Sequence, residues 1–146
     1  MDSLKALRSE RPDIYKLIRV TMYCSSPIAA HLLTEPCLTV KENIGKEVFQ
    51  VLNQSHGCLV FLPPHKKDEL TTKFAEYLAT EKPILIWSES GYASQFVEEH
   101  MLGYHMDGNA AGWIAFYEAW KNGKPSHATQ TIVDAFSLNQ MVEKLI

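Results

Sequence analysis

The 146 residues suffice for one domain with a packed core and are too few for two domains of ordinary size. With 46% hydrophobic, 10% aromatic and 21% charged residues, the composition is globular and excludes intrinsic disorder. A net charge of -3, from 14 basic and 17 acidic side chains without a block of either sign, excludes general affinity for nucleic acid or an anionic membrane.

In chain order, residues 1–13 (MDSLKALRSERPD) form a polar, charged leader, and no apolar run approaches the roughly 18 residues that cross a bilayer. Neither a signal peptide nor a transmembrane helix is predicted. Residues 17–23 (LIRVTMY) read as a strand, broken by Ser25-Ser26-Pro27. A second strand over 37–40 is followed, after Asn43 and Gly45, by a helix with Val48, Val51 and Leu52 on one face. Residues 58–62 (CLVFL) are apolar at every position, the pattern of a parallel strand buried on both faces at the centre of a sheet.

The loop 63–68 (PPHKKD) leads into a helix whose stripe is Leu70, Phe74, Tyr77 and Leu78, ending near Thr80. Residues 83–87 (PILIW) are again a central strand, with proline tolerated at its first position. A turn at 88–91 precedes a helix carrying Ala93, Phe96, Val97 and Met101, stopped by Gly103 as its left-handed terminator. An edge strand over 104–106 follows. Asn109 caps a helix with the face Ala110, Trp113, Ile114, Tyr117 and Trp120, read as core, and Asn122-Gly123 ends it. Ser137 to Gln140 has capping-box spacing and opens a last helix.

Strands alternating with helices across short connections predict an α/β fold: a Rossmann-like, doubly wound parallel sheet with helices on both faces, spanning residues 1–146 as a single domain. Ligands of such sheets bind beyond the carboxyl ends of the strands, so chemistry is expected in the loops after Leu62 and Trp87. Cys24, Cys37 and Cys58 are an odd set without CxxC spacing and read as reduced, buried thiols of a cytoplasmic protein.

The block 62–85 (LPPHKKDELTTKFAEYLATEKPIL) concentrates polar chemistry between the two central strands. Asp68 and Glu76 are separated by ~80° of rotation and ~12 Å of rise if both are helical, which makes them a poor acid/base pair. Thr72, Lys73 and Glu76 share one helix flank. Glu76 suits sugar hydroxyls, and Lys73 with the backbone N–H groups around residues 70–72 suits phosphate. The same residues also fit a solvated face with a Lys73–Glu76 pair and Asp68 as a helix cap.

The run from His56 to Met106 (HGCLVFLPPHKKDELTTKFAEYLATEKPILIWSESGYASQFVEEHMLGYHM) resembles the C-terminal, donor-binding domain of retaining, two-Rossmann-domain glycosyltransferases of GT-B type, group 1 or family 4-like. The shared features are a strand ending in Pro63-Pro64, a KxxEYLAxxKPIL helix and strand over 73–85, a turn at Ser90-Gly91, and the helix end Glu98-Glu99-His100 to Gly103. The match runs over about residues 38–107, and the tail AFSLNQMVEKLI resembles the family's closing helix. The resemblance implies that Glu76 is the second acid of the family's E-x7-E pattern and binds the ribose of a nucleotide-diphosphate-sugar donor. Asp68 takes the place of the first acid, with Glu69 beside it. The backbone around Thr71 and Thr72 then lies against the diphosphate, with Lys73 in the donor site, and Leu62-Pro63 approaches the nucleotide. Apart from the resemblance, the place of His65 in the loop after the central strand suits phosphate or sugar contact, or a plain exposed loop histidine.

The resemblance also implies hexosyl transfer with retention to a glycan or lipid-linked acceptor, with no cofactor beyond the donor and no metal in the donor site. It leaves the catalytic residues unassigned. The family's N-terminal acceptor domain, first C-terminal strand and basic loop have no counterpart, so an excised domain, a split subunit or a degenerate relative is expected. As such, the isolated chain is expected to bind donor without completing transfer. The partners implied are a nucleotide-sugar and the N-terminal domain or a partner subunit, in a cytoplasmic enzyme that is membrane-peripheral when whole.

Other constellations are thinner. The six histidines show no HExxH or zinc-type spacing. Ser88, Ser90 and Gly91 open a helix beside the crevice and either bind an anion or cap the helix. Two other functions suit this length: a small nucleoside 2-deoxyribosyltransferase-like enzyme, and a noncatalytic interaction domain.

Overall fold

A computed structural model describes residues 2–24, 35–126 and 132–133. The charged leader forms helix α1 (Asp2–Glu10), followed by the short α2 (Pro12–Tyr15). Leu4 and Leu7 of α1 are fully buried, because a three-residue spacing puts both on the flank that packs against the last described helix. Strand β1 (Val20–Cys24) starts three residues later than expected, and β2 (Leu38–Glu42) pairs with it in parallel, Val20 opposite Leu38. A 3₁₀ turn (Gly45–Glu47) leads to α3 (Val48–Gln54).

Three further strands, β3 (Cys58–Phe61), β4 (Ile84–Trp87) and β5 (Gly103–Met106), form a parallel sheet in that order. Between them run α4 (Thr72–Leu78) and α5 (Tyr92–Glu99), and α6 (Ala111–Lys121) follows β5. The expected parallel α/β architecture is present, built as two small sheets, β1-β2 and β3-β4-β5.

Alternation along β4 divides the core. Ile84 and Ile86 join Val60, Phe74, Leu78 and Val97 beneath α4 and α5. Leu85 and Trp87 point the other way, toward Trp113 and Phe116 of α6 and the α1 leucines. Helices therefore cover both faces of this sheet. Trp113 stands edge-on to Trp87 with ring centroids 6.0 Å apart, and its Nε1 donates to Ser3 Oγ at 3.1 Å.

Several expectations are corrected. β3 is an edge of its sheet, and Phe61 is 58% exposed. The left-handed residue ending α5 is Met101 (φ 52°), across which Leu102 N donates to Val97 O at 2.9 Å. Gly103 instead opens β5 opposite Ile84, where a Cβ would collide with the Ile84 backbone. Trp120 lies at the surface, edge-on to His56, while Trp113 is core. Cys37 and Cys58 are buried as expected, but Cys24 is only half-buried. The segment 25–27, the helix from Ser137, the tail resemblance, His31 and His127 lie outside the described residues.

Candidate functional site

β1 and β3 border an open cleft of about 890 Å³. Its lining runs continuously along residues 17–24, then along the apolar side of α3 (Val48, Phe49, Val51, Leu52), and onto Lys73, Glu76 and Tyr77 of α4. Phe74 and Leu78 anchor α4 in the core, so the opposite flank carries Lys73 and Glu76 to the cleft. Lys73 Nζ lies 2.9 Å from Glu76 Oε2, and both side chains stay half-exposed. The Glu76 carboxylate is thus oriented by Lys73 and open to a ligand. Burial raises the Tyr77 phenol, with nearby Cys58 and Glu76 acting in the same direction, so it is a neutral hydrogen-bonding group beside that carboxylate.

The other candidate residues lie outside this lining. Leu62 N still pairs with Trp87 O (3.1 Å), after which Pro63 is extended and accepts from Lys66 N at 2.8 Å, closing the 3₁₀ turn Pro64–Lys66. His65 is exposed on that turn, and Lys66 pairs with Glu69 at 3.6 Å. Thr71 sits extended at the α4 N-cap position without a side-chain cap bond; its carbonyl accepts from Phe74 N and Ala75 N. Thr72 begins α4 and is exposed.

Asp68 points elsewhere. Its Oδ1 accepts from Tyr92 N at 2.8 Å, so it caps the start of α5, the helix beside α4 on the same face of the sheet. The two loops expected to hold chemistry are tied together: Ala93 N donates to Lys67 O at 3.2 Å, and a Cβ on Gly91 would come within 2.7 Å of that carbonyl. Gly91 N donates to Ser94 Oγ (3.1 Å), which donates back to Gly91 O (3.0 Å). The first three N–H groups at the α5 entrance are therefore occupied by protein, and this end acts as a cap instead of an anion site. Ser88 Oγ donates to the Glu89 carbonyl, and the Ser88 carbonyl lies 2.9 Å from His105 Nε2.

A polar cluster absent from the sequence reading joins α1, α2 and the start of β2. Glu35 is 2% exposed, accepts from Tyr15 Oη at 2.8 Å, and lies 3.6 Å from Arg8 Nη1. Burial, with Cys37 and Glu35 beside it, pushes the Tyr15 phenol up to about 12. Burial also raises the Cys37 thiol, partly opposed by its bond with Tyr15. The helical spacing of Leu4 and Leu7 was a usable signal for α1; nothing local marks Glu35 as buried.

Among the described residues no group of three or more His, Cys, Asp or Glu is placed to hold a metal ion. Nor is any helix among them long and apolar enough to cross a membrane. In comparisons with known proteins, no family model, no curated protein and no solved structure matches the chain.

Proposed function

We propose that this chain is the nucleotide-diphosphate-sugar donor-binding domain of a glycosyltransferase. The observation that carries the reading is the cleft-facing carboxylate of Glu76, in the EYLAxxKPIL block that resembles the family, half-exposed and braced by Lys73 at 2.9 Å. A carboxylate with two acceptor oxygens fits the vicinal hydroxyls of a ribose, and a volume near 890 Å³ falls in the range of about 300–1,000 Å³ that small-molecule sites occupy. Phe61 and Tyr77 add aromatic surface for a base or sugar.

In this reading Lys73 both orients Glu76 and lends positive charge toward the diphosphate, with Thr71, Thr72, Pro63 and His65 on the approach to α4. Asp68 has a structural part, holding Tyr92 N, and not the role of the family's first acid. The part that this reading gives residues 1–146 is to hold the donor, and acceptor binding with the remaining electrostatic clamp on the leaving diphosphate falls to an N-terminal domain or partner subunit of the whole enzyme. The setting proposed is the cytoplasm, where the free thiols Cys24, Cys37 and Cys58 stay reduced, with peripheral membrane contact by the whole enzyme.

Calorimetric titration with UDP, GDP, dTDP and CMP tests this. Saturable binding of one of them is expected, weakened about 10- to 100-fold in Glu76→Ala by loss of hydrogen bonds to a charged acceptor, at an unchanged melting temperature. Equal affinity in the variant removes Glu76 from the site. Absence of binding by all four overturns the proposal.

A further inference from the structure

The cleft has a second property, independent of any nucleotide. Both strands that border it have an unpaired edge: among the described residues β1 pairs only with β2, and β3 only with β4. Every residue from Leu17 to Cys24 lines the cleft, whichever face of β1 it belongs to, so the strand presents its hydrogen-bonding edge there and not one face. On the β3 side Gly57, Cys58, Leu59 and Phe61 line it, residues of both faces of that strand, while Val60 is held in the core. Unpaired edges with exposed apolar neighbours are an unstable surface for a protein to leave open. Leu17, Phe49 and Phe61, three of its large exposed apolar residues, all lie here.

The geometry points to a slot for one extended strand of a partner polypeptide, which would join β1 to β3 and make the two sheets one. A five-residue strand, about 16 Å long, 4.8 Å wide within a sheet and 10 Å through its layers, takes up about 800 Å³. The cleft offers about 890 Å³ beside a β1 of five residues. Tyr77 of α4 and Trp113 and Phe116 of α6 reach the slot from opposite faces of the β3-β4-β5 sheet. A strand buried on both faces is continuously apolar, so the fitting segment is an apolar run and not an alternating one. Charge sets its ends. The charged residues lining the slot are Arg19, Lys46, Lys73 and Glu76, a positive excess in a chain of net charge -3, which selects acidic flanks on the partner.

The test is an amide NMR titration of the full labelled chain with the capped peptide Asp-Ile-Val-Ile-Val-Ile-Glu. A version N-methylated at alternate residues keeps the apolar side chains and removes backbone donors. Saturable shifts in both β1 and β3, lost with the methylated peptide and weakened about tenfold by raising salt to ~1 M, are expected. Equal binding of the two peptides makes the cleft an apolar groove and overturns the strand slot. No shift at millimolar peptide overturns it too, as does a concentration-dependent dimer of the free chain that buries the same amides, since a second copy would then be the occupant. Glu76→Ala, which tests nucleotide binding, leaves both strand edges intact and raises the positive excess of the lining, so it should bind the acidic-flanked peptide at least as well as wild type while losing nucleotide affinity; the two proposals, whose ligands compete for one cleft, therefore fail separately.

Discussion

β4 and α3 are both apolar segments, ILIW and VFQVLNQ, yet every residue of β4 is buried and none of α3 is. β4 has a hydrogen-bonded strand on each side and helices over each face, whereas Val48, Phe49, Val51 and Leu52 of α3 face the open cleft. The three-stranded half is a closed core. In the two-stranded half Val20 and Cys37 reach the core, while α3 is a surface with apolar residues. Hydrophobic content thus measures what a segment can bury, and topology decides whether a neighbour is there to complete the burial.

Paired truncations test that contrast most severely. Trp113→Ala should cost about 3–5 kcal/mol, through its cavity and the stranded Ser3 hydroxyl, while Leu52→Ala in α3 should cost under about 1 kcal/mol. Urea denaturation measures both, and equal costs would erase the distinction. Within the closed half, Gly103→Ala should lose about 2–4 kcal/mol, because the new methyl meets the Ile84 backbone in a sheet that cannot shift cheaply.

Tyr15→Phe probes a buried anchor beside the open half. It removes a donor from the buried Glu35 carboxylate and should cost about 1–3 kcal/mol. The wild-type Tyr15 ionises at about 12 when folded against an ordinary value of 10.0. Folding therefore favours the neutral phenol, and its contribution is intact below pH 10 and lost as pH rises from 10 toward 12. Thermal melts across that window should fall in wild type and flatten in the phenylalanine variant. A gain instead of a loss is expected at Met101, 73% exposed with φ 52°, where Met101→Gly should add about 1 kcal/mol by relieving a left-handed conformation.

These contrasts follow the limits of legibility. The stripe of α4, the core positions Ala93, Val97 and Trp113 and the runs over β3 and β4 are readable, because burial leaves a period in the sequence; Met101 and Trp120, expected on the stripes of α5 and α6, are exposed, and Phe116, outside the expected face, is buried. α1 was missed because Lys5, Arg8 and Glu10 made residues 2–10 look like a solvated leader, although Leu4 and Leu7 mark one face. β3 has the apolar run of a central strand, and nothing in that run shows that, among the described residues, β4 is its one sheet neighbour. Gly103 was read as a helix terminator because glycine suits both a left-handed turn and a close backbone approach, and only the register with Ile84 separates the two.

In the site, the Lys73–Glu76 pair follows from i,i+3 spacing and is present at 2.9 Å. The partner of Asp68 is 24 residues away at Tyr92 and was not visible from local spacing, which suggested capping of its own helix or a place beside the donor. Glu35 and Tyr15 meet over 20 residues for the same reason.

Native-state hydrogen exchange of the free chain, read amide by amide, addresses the difference between the two halves most directly. The closed core predicts that Ile84 to Trp87 exchange only through global unfolding, while α3 exchanges about two orders of magnitude faster through local opening. Protection of α3 equal to that of β4 would contradict an open cleft between β1 and β3.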